Sequence, residues 1–291
     1  MLDRLVEEVR GRPDLEVEVL VCVSEPHRLE CERFVGDVLR RASPLPFDLR
    51  FLATTETDYY VLKNFGASRA TGELVVFTDC DVIPEVGWLT QILAPFDAPE
   101  VSVVGGNSYV EPTSLYSRTF AAIWIFPLRS TSDVVVPISR LAANNVAFRR
   151  EVALRYPFPA MPETSRGSCQ LLERSLDRRG LVMVTAEGAR VGHPAPLGVE
   201  QFVLRGFSRG RDRIMYATPG VDRGWRGTAG RLRGDTIRNG RRLARVRSEV
   251  GISLPQLPLA VAIAIAFTAC CALGEVLTLV NRSFMVRHFR V

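Results

Sequence analysis

Two carboxylates follow an apolar stretch in the first third of the chain. Residues 72–79 are mostly apolar and β-branched, as is typical of a strand buried on both faces, and the segment Asp79-Cys80-Asp81 stands at their end. Carboxylates at positions i and i+2 after a strand can converge on one hard divalent cation, and such a cation is the usual partner of a diphosphate. The pair alone indicates little, because most acidic pairs at strand ends are turn or cap residues.

Other residues surround this pair at regular spacing, and chance agreement over so many positions is improbable. Around the pair the chain reads Asn64-x-Gly66-x-x-x-Ala70-x-Gly72, and then Pro84 and Trp88-Leu89. A second polar segment follows later, Asn144-Asn145-Val146-Ala147-Phe148-Arg149-Arg150.

These motifs resemble those of family 2 glycosyltransferases of the GT-A fold, over roughly residues 1–200. The resemblance implies an enzyme that moves a sugar from a nucleotide-diphosphate donor to a cell-envelope or lipid-linked acceptor. It implies that Asp79, Asp81 and His193 hold Mg²⁺ or Mn²⁺ against the donor diphosphate. The residues that it places near the donor are Glu25, Lys63, Asn64, Gly66 and Asp79, and those near the acceptor are Asn144 and Asn145. Simpler roles stay open for Glu25 and Lys63 as loop residues and for His193 as a structural histidine.

The segment that should supply the catalytic base departs from the family pattern. Members of the family carry an acidic pair there, whose aspartate deprotonates the acceptor hydroxyl, whereas this chain has Ser168-Cys169. Glu173 lies inside a helical pattern, where we expect it to face solvent or an arginine. Glu163 is therefore the predicted base.

The start of the chain departs as well, because it opens on a helical pattern where the family has its first strand. Residues 16–23 take the place of the second strand. The departure predicts unpaired backbone groups along 16–23 and 72–79 and a strand encoded before Met1.

Helical and strand-like patterns alternate along residues 1–200. The helical patterns lie at 2–10, 30–41, 86–96 and 168–180, and the strand-like runs at 16–23, 48–54, 72–79, 101–107 and 181–193. Alternation predicts an α/β domain with a doubly wound, mostly parallel sheet of GT-A type, whose ligands bind beyond the carboxyl ends of the strands. The aromatic stretch 115–128 is either a core helix or a helix on a membrane surface.

The tail changes character after residue 200. A basic segment at 201–256 carries 13 arginines and four acidic residues up to residue 250, and the apolar stretch 257–280 and a short tail, 281–291, follow. A 24-residue helix can cross the roughly 30 Å core of a bilayer. We therefore predict a single-pass membrane protein, and the excess of arginine before the span puts the domain at 1–200 in the cytoplasm. A buried core helix is the alternative.

Composition excludes several classes of protein. The chain has 291 residues, 47% of them apolar, and a net charge of +5, so it should fold. Its six cysteines show no zinc-ligand spacing, which makes a zinc site improbable and indicates a reducing compartment. A nucleotidyltransferase would carry a glycine-rich phosphate loop, which is not found, and a non-catalytic relative of the transferases stays open. For the arginine-rich segment, anionic lipid is a simpler partner than nucleic acid, so none is predicted.

Overall fold

The computed structural model describes residues 1–42, 44–138, 140–161, 163–164, 167–216 and 222–289. These residues form two compact units. The first unit holds Met1–Ser108, Arg129–Ala160 and Ser168–Gly192, and the second holds Tyr109–Leu128, Met161–Gly167 and His193–Val291. The predicted boundary at residue 200 differs from this division, because two internal segments join the C-terminal helices.

Helices and strands alternate through the first two thirds of the chain, and helices alone follow. In chain order the elements are α1 (Leu2–Arg10), β1 (Glu18–Ser24), α2 (Arg28–Ala42), β2 (Asp48–Thr54), α3 (Tyr59–Arg69), β3 (Leu74–Thr78), β4 (Ile83–Pro84), α4 (Trp88–Leu93), β5 (Val101–Val110), α5 (Leu115–Ile123), β6 (Val135–Pro137), β7 (Asn145–Arg149), α6 (Arg150–Arg155), α7 (Ser168–Asp177), β8 (Val182–His193), α8 (Gly198–Met215), α9 (Trp225–Val246), α10 (Leu257–Val280) and α11 (Arg282–His288).

The strands form two sheets. Strands β1 and β2 pair in parallel, and the larger sheet has the order β3-β7-β5-β8-β4, with β6 beside β8. Strand β7 runs antiparallel to both of its neighbours, so β3 and β5 point the same way on either side of it. The predicted α/β fold is confirmed. Its sheet is less uniformly parallel than simple alternation suggests, because β4 and β6 also pair antiparallel with β8.

Strands β1 and β3 do not pair with each other, and no described strand pairs with the second edge of either. The predicted open edges are thus present in this structure. A side chain joins the two strands at their starts instead. The Glu18 carboxylate accepts hydrogen bonds from the Thr71 backbone amide (2.5 Å), the Thr71 hydroxyl (2.7 Å) and the Gly72 amide (3.2 Å).

One apolar core supports the larger sheet. It is made of residues from α1, from α4 and from the sheet itself, with Trp88, Ile92 and Val104 almost fully buried. The amphipathic spacing predicted for residues 2–10 is confirmed, since Leu5 and Val9 enter this core.

The second unit is helical. The segment predicted as a basic, polar linker forms α8 and α9, because arginine is a good helix former and the glycines interrupt neither helix. Gly206 and Gly210 of α8 allow close packing on α10: a β-carbon at Gly210 would lie 2.1 Å from the Cys271 carbonyl oxygen. The spacing of the two glycines is that of close helix pairs in membranes.

Helix α10 has two different faces. One face packs on α5, α8 and α9 and includes Ala260, Ala264, Phe267 and Cys271. The other face is exposed and apolar, with Leu259, Ile265, Leu273, Val276 and Leu279 among its residues. With the turn before it, α10 is the one helix in the described ranges that is long and apolar enough to cross a membrane.

The aromatic stretch at 115–128 is a core element. Helix α5 buries Phe120 completely, and this ring lies 5.1 Å from Phe267 and 5.4 Å from Trp124 between ring centroids. The reading of this stretch as a core helix is therefore the one that the structure favours.

Candidate functional site

Helix α3 brings two side chains to Asp79 at the end of β3. The Asp58 side chain caps the helix by accepting from the Tyr60 and Val61 amides, and Tyr59 and Lys63 then lie one turn apart. The Tyr59 hydroxyl donates to both carboxylate oxygens of Asp79, at 2.7 and 3.0 Å. The Lys63 ammonium lies 2.8 Å from Asp79 Oδ1 and donates to the Thr78 carbonyl oxygen at 3.2 Å.

This cluster of Tyr59, Lys63 and Asp79 is partly enclosed. The exposed fraction is 10% for the Lys63 side chain and 21% for that of Asp79, whereas Tyr59 is 39% exposed. Burial, together with the neighbouring Asp79 charge and its hydrogen bond, raises the pKa of Tyr59 well above its ordinary value. The hydroxyl therefore stays protonated and donates to the carboxylate. Burial and the two flanking aspartates also raise the pKa of the Cys80 thiol, which disfavours a thiolate metal ligand.

Strand β7 places the Asn144-Asn145 segment next to this cluster. The pairing of β3 with β7 sets Asn145 opposite Thr78, the residue before Asp79. Two motifs that lie far apart in sequence therefore meet at one edge of the sheet, as ligand-binding segments do in α/β folds.

Asn145 is held by hydrogen bonds inside the protein, and acceptor binding by this residue stays a prediction. Its side chain is fully buried, accepts from the Trp88 indole at 2.9 Å and donates to the Ala189 carbonyl at 2.8 Å. The amide thus has no accessible polar atom to offer an acceptor. Gly106 supplies the space, because a β-carbon there would lie 2.3 Å from Asn145 Nδ2.

Asn144 differs from its neighbour. It is 5% exposed, and its carbonyl oxygen accepts from the Ser108 hydroxyl at 3.1 Å. Its amide nitrogen is buried without a hydrogen-bond partner among the described residues, as is the Thr78 hydroxyl. An unpaired buried donor is costly, and a ligand that reached this nitrogen would relieve that cost. Acceptor binding by Asn144 stays a prediction.

Asn64 and Gly66, for which donor binding stays a prediction, make packing contacts inside the protein. The Asn64 side chain donates to the Phe158 carbonyl at 2.8 Å and accepts from the Phe158 amide at 2.9 Å, so both ends of its amide hold the 158 backbone. Gly66 allows α3 to approach β1, because a β-carbon there would lie 2.7 Å from Cys22 Sγ. Both residues lie on α3 and help to position this helix against β1 and the 158 backbone.

Asp81 and Glu25 lie at the surface. Asp81 is exposed in the turn after β3, two residues beyond Asp79. Glu25 begins a 3-10 turn after β1 and lies 3.9 Å from Arg28 in an exposed ion pair, as an ordinary loop carboxylate would. Donor binding by Glu25 and metal binding by Asp81 stay predictions.

The other two predicted residues, Glu163 and His193, belong to the second unit. Glu163 is exposed and forms an ion pair with Arg282. His193 Nδ1 lies 2.6 Å from the Pro194 carbonyl oxygen, and its ring stacks near Phe126. Nowhere in the described ranges do three His, Cys, Asp or Glu side chains come together as a preformed metal site. The roles of base and metal ligand stay predictions.

Sequence reasoning missed Tyr59, which contacts Asp79 directly. Residues 55–71 read only as a polar segment, so no helix was predicted there. The spacing of Tyr59 and Lys63 at i and i+4 before the strand is the signal that could have identified it.

A solved structure with a similar fold is a mannosyltransferase. The mannosyltransferase PcManGT from Pyrobaculum calidifontis, in complex with GDP-Man and Mn²⁺, is 16% identical, with a TM-score of 0.54 over 97% of this chain and 82% of that one. S. aureus TarS, residues 1–349 in complex with UDP-GlcNAc, is 14% identical, with a TM-score of 0.48 over 97% and 87%. No curated protein matches the sequence.

The sequence itself matches a family. Residues 1–153 correspond to the family described as Glycosyl transferase family 2, and this segment is more than half of the chain. It includes the Tyr59, Lys63 and Asp79 cluster and the Asn144-Asn145 segment. The chain therefore belongs to glycosyl transferase family 2 and has the GT-A fold.

Proposed function

We propose that this protein transfers a sugar from a nucleotide-diphosphate donor to a cell-envelope or lipid-linked acceptor. The observation that carries the proposal is the cluster at the end of β3, where the Lys63 cation, the Asp79 carboxylate and the unpaired Asn144 amide belong to neighbouring segments. A cation beside hydrogen-bond donors suits a diphosphate, and carboxylates suit a ribose hydroxyl or a divalent cation. The chain belongs to a family of glycosyl transferases, and this membership is the reason to interpret the arrangement as a donor site.

The proposed reaction breaks the bond between the sugar anomeric carbon and the diphosphate oxygen. An acceptor hydroxyl oxygen forms the new bond to that carbon, and the nucleoside diphosphate leaves. Glu163 is the proposed base for the acceptor proton. Its ion pair with Arg282 must open for this role, and opening an exposed pair costs about 0–1 kcal/mol.

A divalent cation, Mg²⁺ or Mn²⁺, is part of the proposal. The two aspartates are oxygen ligands of the kind that such cations prefer, but Asp79 already accepts from Tyr59 and Lys63. The residues therefore fit a cation held by Asp81 and the donor phosphates better than a site made by protein alone, which is how Mg²⁺ is commonly bound. When bound, such a cation offsets the negative charge of the leaving diphosphate.

Donor hydrolysis tests the proposal. The full-length protein is incubated with UDP-, GDP- and dTDP-sugars and Mn²⁺, and the release of nucleoside diphosphate is measured. We expect release from one of these donor classes and none from Asp81→Ala. Binding of a donor without turnover, even with candidate acceptors present, would favour the second candidate, a non-catalytic relative. The observation that favours a non-catalytic relative is that both Asp79 oxygens and the Glu163 carboxylate already have partners within the protein.

We also propose that α10 attaches the protein to a membrane, with the transferase unit on the cytoplasmic side. Its exposed face is apolar along its whole length, and its one charged residue, Glu275, is buried and paired with Arg213 and Arg231. A single pass through the bilayer is the arrangement predicted from the sequence. In a second arrangement, α10 lies in the plane of the membrane. The arginines of α8 favour this second arrangement, because α8 packs along α10 and charged side chains inside the hydrocarbon core are costly.

A further inference from the structure

Lys63 is the only lysine of this chain, in which the other basic residues among the 37 lysines and arginines are arginine. The position of Lys63 suits an ammonium group better than the flat guanidinium of arginine, because the ammonium is nearly buried between Asp79 and the Thr78 carbonyl. The Tyr59 ring lies against it, with its centroid 4.8 Å from Nζ. A compact point charge with three donors fits such a place, and this is the property in which lysine differs from arginine.

We infer that Lys63 is the resident counter-cation of Asp79, which keeps a free divalent metal from binding there and admits the metal only together with a nucleoside diphosphate. The inference rests on the proposed function and deepens it, since it assigns the order in which metal and donor enter.

The contacts of Asp79 carry this inference. One carboxylate oxygen accepts from Tyr59 at 2.7 Å and lies 2.8 Å from the Lys63 ammonium, and the other accepts from Tyr59 at 3.0 Å. A metal that arrives alone must displace a partly buried cation and leave it without a carboxylate, which is unfavourable. The other carboxylate of the acidic pair, Asp81, is exposed, and one exposed carboxylate holds a divalent cation weakly.

A nucleoside diphosphate changes this balance because its phosphates give Lys63 another anionic partner. The ammonium can then exchange Asp79 for phosphate without losing its charge compensation, and Asp79 becomes available. Lys63 thereby couples the binding of the metal to that of the donor.

Binding of Mn²⁺ alone to the nucleotide-free, full-length protein tests this order. Free Mn²⁺ is followed by its electron paramagnetic resonance signal and checked by calorimetry. The wild type is compared with Lys63→Met, which removes the cation, and with Arg69→Met, which removes the same charge from an exposed position of the same helix. We expect Lys63→Met to bind Mn²⁺ at least about tenfold more tightly than the wild type and Arg69→Met do.

A further variant identifies the site, because Lys63→Met combined with Asp79→Asn should lose the gained affinity. Addition of GDP or UDP should restore tight Mn²⁺ binding to the wild type. Equal affinity of the wild type and Lys63→Met for Mn²⁺ alone would overturn the inference. If no nucleotide supports Mn²⁺ binding in any of the proteins, the proposed function fails instead.

A second measurement needs no variant. Because Lys63 is the only lysine, its reductive methylation can be followed by mass spectrometry of a single peptide. We expect slow labelling in the native protein and the same rate after addition of Mg²⁺ alone. An increase of about tenfold with Mg²⁺ alone would mean that the metal displaces the ammonium, and the inference would be wrong.

Discussion

At the scale of single residues, the motifs of this family contain both the polar cluster at the end of β3 and side chains that hold the fold. Tyr59, Lys63 and Asp79 form the cluster, and the Asn144 amide lies next to the start of β7 without a hydrogen-bond partner among the described residues. Asn64 and Asn145 stand in the same motifs, yet each amide is bonded at both ends inside the protein. A motif therefore marks where a site lies without telling which of its residues touch the ligand.

The contrast between Asn144 and Asn145 gives the first prediction. Asn145→Ala leaves the Trp88 indole and the Ala189 carbonyl without partners, so we expect a loss of about 1–3 kcal/mol in unfolding free energy for each group. Asn144→Ala leaves one buried group, the Ser108 hydroxyl, without its partner and removes a donor that is already unpaired, so it should cost less stability than Asn145→Ala. Urea unfolding of both variants checks this, and equal destabilisation would contradict the assignment of roles.

Only some of the residue roles could be predicted from the sequence. The acidic pair and Lys63 could be found because their types and spacing are unusual. The structural role of Asn145 could not, because it depends on Trp88 and Ala189, which lie 57 and 44 residues away along the chain. Long-range pairing of this kind leaves no local pattern.

At the scale of elements, α3 and β3 carry the cluster of Tyr59, Lys63 and Asp79, and β1 supports α3. Helix α3 lies against β1 through Gly66, where a β-carbon would come within 2.7 Å of Cys22 Sγ. The amphipathic helices with clear spacing, α1 and α7, were predicted from sequence. Helix α3 was not, because its apolar and polar residues do not separate into two faces.

A double substitution tests the seating of α3. Gly66→Ala should destabilise the protein by about 1–3 kcal/mol, because the added methyl group overlaps Cys22 Sγ and this exceeds the helix-propensity gain of alanine. Cys22→Ala removes the overlapping atom. In a double-mutant cycle by thermal unfolding, the pair should therefore be less destabilised than the sum of the single variants, and strict additivity would argue against the contact.

Glu18 gives a prediction with a defined pH dependence. Partial burial raises the pKa of Glu18, but the hydrogen bonds from Thr71 and Gly72 and the charge of Arg50 outweigh it and hold the pKa below its ordinary value. The carboxylate therefore stabilises the fold above the unfolded pKa of about 4.3, and this contribution is lost as the pH falls through the lower, folded pKa.

Glu18→Gln should accordingly reduce stability at neutral pH, and the difference from the wild type should shrink in acid. Thermal unfolding of both proteins between neutral pH and about pH 3 measures this. A difference that grows on acidification would show that Glu18 does not join β1 to the segment before β3.

At the scale of the whole molecule, a transferase unit and a helical unit are combined in one chain. The apolar length of 257–280 was evident from the sequence, whereas its two faces were not, because burial by α5, α8 and α9 depends on packing. The packing role of the glycines of α8 could not be predicted from the sequence, because it depends on the close approach of Gly210 to Cys271 of α10.

The membrane proposal predicts where the ends of α10 lie. A protease-cleavable tag after the C-terminus is expected to be cut from the outside of sealed spheroplasts if α10 crosses the membrane, and only in inverted vesicles if it lies in the plane. Ile265→Glu and Leu273→Glu, on the exposed face, should release the protein from the membrane fraction in either case. A full-length protein that is soluble without detergent would contradict the attachment.

The central claim is that the end of β3 binds the diphosphate of a nucleotide donor. Calorimetric titration of GDP and UDP, each with Mn²⁺, tests it most directly on the wild type, Asp81→Ala and Asp97→Ala, an exposed aspartate of the same unit that serves as the control. We expect the wild type and Asp97→Ala to bind one nucleotide with equal, Mn²⁺-dependent affinity, and Asp81→Ala to lose that affinity while its unfolding is unchanged. Unaltered Mn²⁺-dependent binding in Asp81→Ala would contradict the account.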